Sequence, residues 1–456
     1  MKARLPSYLV FCGILLLFGS LALSSALLAQ WRQWSGPAER AKLSASVDAA
    51  VSPSNGARLT GREAEKLSGL WGASTAYSAR TRTTVSAGSR TSDANVIGVG
   101  GQYDRFTHIW LSNGVSVSPA ARRERAKVAV IGSGLADRLF HSQDVIGLRL
   151  DILGAKFRVV GVYRERNSLL QWMTDDGLPD ILVPYSALED VSPDISVQSA
   201  VFEAKSTSDI EGDTEVRAAI AEAGGDSSVY VISDASQYYR SVAQKPALLL
   251  WICGLTAIWR CIRLLIASCR SAYRLIRMET LSLEWTDVVK RNRFALARHA
   301  TVATAGVAGA AAIWLLVRFP FHFPADSIPG QLIDWSFYRD QILSYWQHQA
   351  ARTGAVSTPD EWLQNRAGSL VTYLSYAGLA AGLPLCLIGT RMWNMEQIPV
   401  GTRMFRVFLF FLVAAALSLA IAWAAGIPAT VDGKETAVLV AVMGLLSLKG
   451  GGRTLV

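Results

Sequence analysis

The stretch KVAVIGSGLADRLF, Lys127 to Phe140, carries the residue types of a phosphate-binding turn: an apolar run, two glycines, then apolar residues at helical spacing. In a dinucleotide fold such glycines let backbone N–H groups approach a pyrophosphate at a helix N-terminus. Here Asp137 stands where the third glycine belongs, and the acid about 20 residues on, Asp151, falls inside an alternating run and not at a strand end. A structural strand, turn and helix is the expectation. No phosphate loop stands elsewhere: Gly433 and Lys434 are followed by Glu435, and Pro428 occupies the place of the leading glycine.

Other reactive residue types are scattered. His108, His141, His299, His322 and His348 lack the close pairing of a local zinc motif. Asp175 and Asp176 sit in QWMTDDGLPD, a Gly- and Pro-containing segment in which acids cap or solvate a turn more often than they catalyse. No Ser, Cys or Thr stands in a nucleophile setting such as Gly-x-Ser-x-Gly. Arg122, Arg123, Arg125 and Lys127 form a basic run suited to an anionic partner or lipid, with a solvated face as the usual outcome. The chain is expected to be no enzyme, with no metal and no cofactor of its own.

The elements that must position these residues are membrane helices and one large polar region. Of 456 residues, 51% are hydrophobic and 18% charged, with a mean hydropathy of +0.26, too apolar for an ordinary soluble protein of this size. Apolar residues collect at Tyr8 to Ala29, Ala247 to Ala267, Ala300 to Val317, Leu370 to Ile388, Val407 to Ala425 and Thr436 to Leu448. A bilayer core takes about 20 residues of helix, so five segments can span and the sixth is short. That sixth stretch inserts, re-enters or lies in the interface; its lack of charge favours insertion. The first is weighed against a cleaved signal peptide, since Lys2 and Arg4 precede it and Ser24, Ser25 and Ala26 lie near its end. Its length, with Trp31 and Trp34 following, favours an anchor.

Basic flanks set the orientation. Arg270, Arg274, Arg277, Lys290, Arg291, Arg293 and Arg298 place the loop after the second span inside, as do Arg391, Arg403 and Arg406 for the next inner loop and Lys449 with Arg453 for the C-terminus. The polar region between the first two spans then lies outside. The net charge of +9 comes largely from these flanks and calls for no nucleic acid. Cys12, Cys253, Cys261, Cys269 and Cys386 all lie in or beside apolar spans, so the outer region is expected to rest on a hydrophobic core without disulfides. Arg260 and Arg263, near the inner end of the second span, are expected to snorkel to lipid phosphates.

Within the outer region, a helix is expected at Arg58 to Leu70, extended segments at Tyr77 to Val85 and Asn95 to Val99, a helix-compatible stretch at Gln102 to Ile109 and a hairpin turning at Gly154 and Ala155. Ile181 to Val183 adds a strand ending at Pro184. After an acidic, polar stretch from Ser192 to Ser228, with a helix at Thr214 to Ala223, another strand is expected at Val229 to Ile232, and Ser233 to Gln244 leads helically into the second span.

The runs VIGVGGQY (Val96 to Tyr103), KVAVIGSGLADRLF, DVIGLRLDILGAKFRVVGVY (Asp144 to Tyr163) and ILVPYSAL (Ile181 to Leu188), in this order, resemble the extracytoplasmic core domain of the MacB/FtsX-type ABC transporter permeases. The resemblance implies an α+β extracytoplasmic domain, MacB core-like, inserted between transmembrane α-helices of a polytopic helical membrane protein. It also implies a function: the membrane subunit of an ABC-type transporter or mechanotransmission complex, in which a separate cytoplasmic ATPase binds ATP and drives an outer domain acting on peptides, lipids or antibiotic-like clients. Partners implied are that ATPase, a second copy or a related permease chain, membrane lipids and an extracytoplasmic partner. The alternative is a non-transporting scaffold or sensor that recruits a partner through its outer domain.

The resemblance continues through METLSLEWTDVVKRNRFALARHATVATAGVAGAAA, Met278 to Ala312, which looks like the family's cytoplasmic coupling helix before a third span. Leu281, Trp285, Val288 and Val289 share one helical face, while Glu284, Asp287, Lys290 and Arg291 project elsewhere, so this helix would rest in an ATPase cleft or lie on the inner leaflet. Gly306 and Gly309, among alanines, would let the third span pack closely on a neighbour. The expected layout is a first span at 1–30, core domain at 31–245, second span at 246–268, coupling loop at 269–298, third span at 299–318, outer loop at 319–366, fourth span at 367–391, fifth at 405–426 and a short sixth at 436–449. Two features depart from the family: the last two apolar segments, and the enlarged outer loop. In that loop Leu332, Trp335, Tyr338, Ile342, Tyr345 and Trp346 recur three or four apart, forming an aromatic face for the outer leaflet, the outer domain or a substrate.

Overall fold

A computed structural model describes residues 5–34, 42–47, 58–164, 177–205, 209–280, 284–322, 335–340, 343, 359–428 and 432–448. It divides the chain into two units: 30–241 with 323–368, and 1–29 with 242–322 and 369–456.

The first unit holds a mixed sheet. Its strands are β1 (Lys42–Val47), β2 (Thr75–Ala87), β3 (Arg90–Gly101), β4 (Leu111–Gly114), β5 (Val128–Gly132), β6 (Arg149–Ile152), β7 (Ala155–Tyr163), β8 (Asp180–Pro184), β9 (Ser199–Glu203) and β10 (Tyr230–Asp234). They run in the order β10-β1-β9-β2-β3-β8-β5-β7-β4, with β6 pairing β2 and β7. Among the described strands, only the β3/β8 and β5/β7 pairs are parallel. The β6–β7 hairpin turns through Leu153 and Gly154, both at positive φ, which the glycine adopts without a steric penalty.

A helix over Gly61–Trp71 starts at a capping box, Thr60 accepting from the Glu63 N–H and Glu63 from the Thr60 N–H, and ends at Gly72 in the left-handed region. Its buried face, Ala64, Leu67 and Trp71, joins Phe202, Tyr230 and the helix Asp209–Ala223 in one core cluster. A second cluster gathers Val96, Ile131, Leu135, Leu150, Phe157 and Val183. The glycines of VIGVGGQY serve this packing: a Cβ at Gly100 would overlap the Tyr77 ring, and one at Gly98 would press on Leu188 and the Tyr185 backbone. Tyr77 and Tyr185 meet edge to face, their centroids 5.3 Å apart.

β2 and β3 are longer than the sequence pattern suggests and pair along their whole length, because the polar residues Arg80 to Thr84 and Arg90 to Asp93 occupy exposed or half-buried positions that periodicity discounts. β1, β4 and β9 are not expected from sequence at all; β9 lies in a stretch read as polar and acidic, and of its own residues Ala200 and Phe202 enter the core cluster. The helix-compatible stretch at Gln102 to Ile109 forms one turn, Tyr103–Phe106.

The second unit is helical. Its helices are α1 (Leu5–Trp34), α2 (Ala235–Glu279), α3 (Trp285–Arg291), α4 (Arg293–Val317), α5 (Pro359–Ala377), α6 (Leu383–Met395), α7 (Val400–Ala424) and α8 (Gly433–Ser447); α1, α2 and α5 also contribute residues to the first unit. A π-helical turn, Gly378–Gly382, joins α5 to α6, and α2 contains Pro246. Among the described residues, five helical stretches are long and apolar enough to cross a membrane: Leu5–Trp34, Ala235–Glu279, Arg293–Val317, Leu363–Met395 and Val400–Ala424. α8 has 15 residues and is not among them. It is nonetheless buried by protein: Val438, Leu439, Val442 and Met443 enter a cluster with Val10, Ile14 and Leu17 of α1, Cys253 and Ala257 of α2, Ile313 of α4, Cys386 of α6 and Phe411 of α7.

Candidate functional site

The loop between α2 and α4 is built by the ends of three helices. α2 closes at Glu279, with the Thr280 N–H still donating to the Ile276 carbonyl at 2.9 Å. α3 begins at Glu284, whose backbone is extended and whose side chain makes no cap. Asn292 separates α3 from α4: its N–H donates to the Val288 carbonyl at 3.1 Å, its carbonyl accepts from the Leu296 N–H at 2.9 Å, and its side-chain amide donates to the Glu279 carboxylate and, at 3.3 Å, to the Val288 carbonyl. The amide thus ties the start of α4 to the end of α2. Ser268 repeats the connection farther along, its hydroxyl donating to the His299 carbonyl at 3.0 Å.

This frame divides the apolar residues of α3 between two surroundings. Val288 is fully buried, whereas Trp285 is 63% exposed and Val289 36%. Trp285 and Val289 are four apart and share a helix face, so an apolar strip remains uncovered while Val288 anchors the helix to the protein. Glu284, Lys290 and Arg291 are exposed around it. Leu281 and the side chain of Asp287 lie outside the described residues. Sequence reasoning missed three exposed neighbours: Tyr273, Met278 and Phe294, the last beneath the Arg293 guanidinium at 4.9 Å. The signal lay in their density: large apolar residues recur beside the basic flanks of a loop expected to be polar.

Gly306 and Gly309 of α4 do face a neighbour: their built Cβ positions lie 3.5 Å from the Cys261 carbonyl and 3.7 Å from its Sγ, ordinary contact distances. The tight approaches lie elsewhere, between α1 and the fourth apolar stretch. A Cβ at Gly13 would come 2.5 Å from Cys386 Sγ and 2.9 Å from the Gly382 carbonyl; one at Gly389 would come within 3.1 Å of the Pro6 carbonyl; one at Gly378 would strike Ser20. Isolated glycines on two distant segments produce no sequence motif, which is why they escape notice.

Other candidates are accounted for by local structure. In the basic run, Arg122 pairs with Asp104 at 3.5 Å and Arg125 with Glu189 and Asp190, while the Arg123 and Lys127 side chains join no ion pair among the described residues. Half the run is therefore neutralised. Arg260 has a protein acceptor, its guanidinium donating to the Leu448 carbonyl at 2.7 Å. Trp31 is buried, its ring against Tyr238 and Tyr239, rather than turned to lipid. Gly132 and Gly134 have ordinary backbone angles, and Gly132 merely precedes the helix Ser133–Phe140. Among the described residues no three His, Cys, Asp or Glu side chains come together as a metal site. Asp175, Asp176, His348, Leu332, Ile342, Tyr345 and Trp346 lie outside the described residues; of the outer-loop face, Trp335 and Tyr338 fall on one exposed helical turn.

Carboxyl and phenol groups of the sheet unit are strongly placed. Glu203 accepts from the Ser74 N–H at 3.3 Å and from Arg105 at 2.9 Å, and the Ser74 contact, with Arg105 adding to it, holds its carboxyl below the ordinary range. Burial pushes the Tyr230 phenol up to about 12, against the pull of the Leu59 N–H it accepts at 3.0 Å; the hydroxyl donates to the Val197 carbonyl at 3.0 Å. These are satisfied structural groups.

A multi-pass helical membrane protein with an α+β domain is the class these features define. Residues 11–222 match the model of the MacB-like periplasmic core domain. Over those residues, a little under half of the chain, the sequence is similar to that domain. Similar solved structures include the extracellular domain of the noncanonic ABC-type transporter YknZ from Gram-positive bacteria, 16% identical over 42% of this chain and 99% of that one, with a TM-score of 0.35. The periplasmic region of MacB from Actinobacillus actinomycetemcomitans is 15% identical, covering 48% and 97%, with a TM-score of 0.37. A domain of a putative permease protein from Porphyromonas gingivalis is 14% identical, covering 44% and 92%, with a TM-score of 0.31. No curated protein matches the sequence.

Proposed function

We propose that this chain is the membrane subunit of an ABC-type system, in which a separate cytoplasmic ATPase docks on α3 and its work reaches an outer domain that acts on a client. The observation that carries this reading is the division of α3: Val288 buried, Trp285 and Val289 exposed. An exposed Trp beside charged neighbours is the kind of anchor that fills a pocket on a partner. Leu281, Glu284 and Asp287 would complete the contact, fixing register by charge. The link from the Asn292 amide to Glu279 supports the reading further, because a push on α3 would be felt by α2 and α4 together. ATP would be bound by the partner, and two copies of this chain, or one with a related chain, would serve two ATPase subunits.

The test is purification of the full chain in mild detergent, assaying for a co-purifying ATPase. Trp285→Ala combined with Asp287→Arg is expected to release it while the chain itself remains folded. An ATPase that stays bound to the double variant would overturn docking at α3, and a chain that carries no ATPase at all would favour the scaffold or sensor.

A further inference from the structure

The last helix, α8, is central among the apolar helices: alongside Val438, Leu439, Val442 and Met443, its final residue Ser447 is fully buried. The last carbonyls of a helix have no intrahelical donor, and aligned peptide dipoles leave partial negative charge there. At the end of α8 two arginines from different helices supply what is missing. Arg260 of α2 donates to the Leu448 carbonyl at 2.7 Å. Arg403 of α7, fully buried, donates to the Ser447 carbonyl at 3.5 Å, to the Trp393 carbonyl of α6 at 2.7 Å and to the Asn394 side chain. Neither arginine has a carboxylate partner among the described residues, and the Nε of each is buried without an acceptor. A guanidinium buried without an anion is costly unless its carbonyl contacts are kept, so these two positions have strong reason to hold the helix end where it is.

We propose that α8 is a latch: its carbonyl end, gripped from two sides by Arg260 and Arg403, holds the inner half of α2 against α6 and α7. The last two helices then act on the same helix that leads into the inner loop, at the point where it leaves the buried cluster. Arg260 and Arg403 are positioning residues, and releasing either one frees the inner half of α2 without dismantling the rest.

The chain carries its own reporters. Cys261, next to Arg260, is buried against Gly309; Cys253, about two turns earlier in α2, and Cys386 of α6 are fully buried; Cys12 and Cys269 are exposed. The experiment follows N-ethylmaleimide modification of each cysteine by peptide mass spectrometry in the detergent-purified full chain, with Cys269, beyond the apolar run of α2, as the reactive control. Arg403→Gln, remote from α2 in sequence, is expected to speed Cys261 modification about tenfold, as loss of a charged hydrogen bond predicts, with Cys253 and Cys386 still protected. Arg260→Gln should do the same, and the double variant should be no faster than the faster single, since one grip lost opens the latch. Should Arg403→Gln fail to fold, Arg260→Gln, at a half-buried position, decides alone. Unchanged Cys261 in a folded variant, all three buried cysteines rising together, or additive effects in the double variant would each overturn the latch.

Discussion

Glycine does different work in the two units, and the difference traces to solvent. In the sheet unit, Gly98 and Gly100 make room for tyrosine rings and a leucine, so that large apolar surfaces leave water. In the helical unit, Gly13, Gly382 and Gly389 make room for backbone as well as side chains, because lipid gives helices no hydrophobic reason to associate and close approach must supply the attraction. At these positions the sheet unit is packed by what its glycines admit, and the helical unit by how near its helices come. The polar groups differ in parallel: Tyr230 satisfies donor and acceptor within the sheet unit's core, whereas Arg260 and Arg403 close helix ends among apolar spans.

That contrast is easiest to break at Gly100. Ala there drives a methyl group into the Tyr77 ring and should cost about 3 kcal/mol, read as a roughly 100-fold loss of hydrogen-exchange protection in β2 and β3 of the full chain. Next is Gly13→Ala, which must part α1 from Cys386 and the Gly382 carbonyl at about 2 kcal/mol, while Gly306→Ala, which meets only ordinary contacts, should stay within about 0.5 kcal/mol. Paired thermal melts in detergent compare the two; equal losses would erase the distinction between near and ordinary approach.

A smaller effect concerns pH. The Tyr230 phenol has a folded value raised from 10.0 to about 12, so its neutral form is favoured in the fold: its contribution is complete below pH 10 and is lost as pH rises through about 12. Exchange protection around Leu59 and Val197 should fade over that window, and Tyr230→Phe, at a cost of about 1 kcal/mol, should flatten the decline. Smallest of all, Trp285→Ala should leave the melting temperature of the full chain within measurement error, about 0.5 kcal/mol or less, because that ring touches little of its own chain.

The strand–turn–helix of KVAVIGSGLADRLF and the β6–β7 hairpin were legible because their apolar spacing and turn glycines act locally. The mixed α+β character of the outer domain followed from them. β1 and β9 were not legible, since they owe their existence to partners far along the chain: Ala45 pairs with Ile232 on one side and Ala200 on the other, and no local pattern announces either. In α3, sequence placed Trp285, Val288 and Val289 on one face, but only burial separates the anchoring valine from the exposed pair. Arg403 read as a mere topological flank; that it reaches two carbonyls and an amide depends on α6 and α8 ending beside it.

Pro246 lies within the 45 residues of α2. Lacking an N–H, it leaves the Val242 carbonyl without its usual donor one turn earlier, and its ring crowds that same oxygen. A bend at this site would sacrifice no additional ladder bond, so this is the position along the rod where bending costs least, and Pro246→Ala would restore the missing donor and raise that cost.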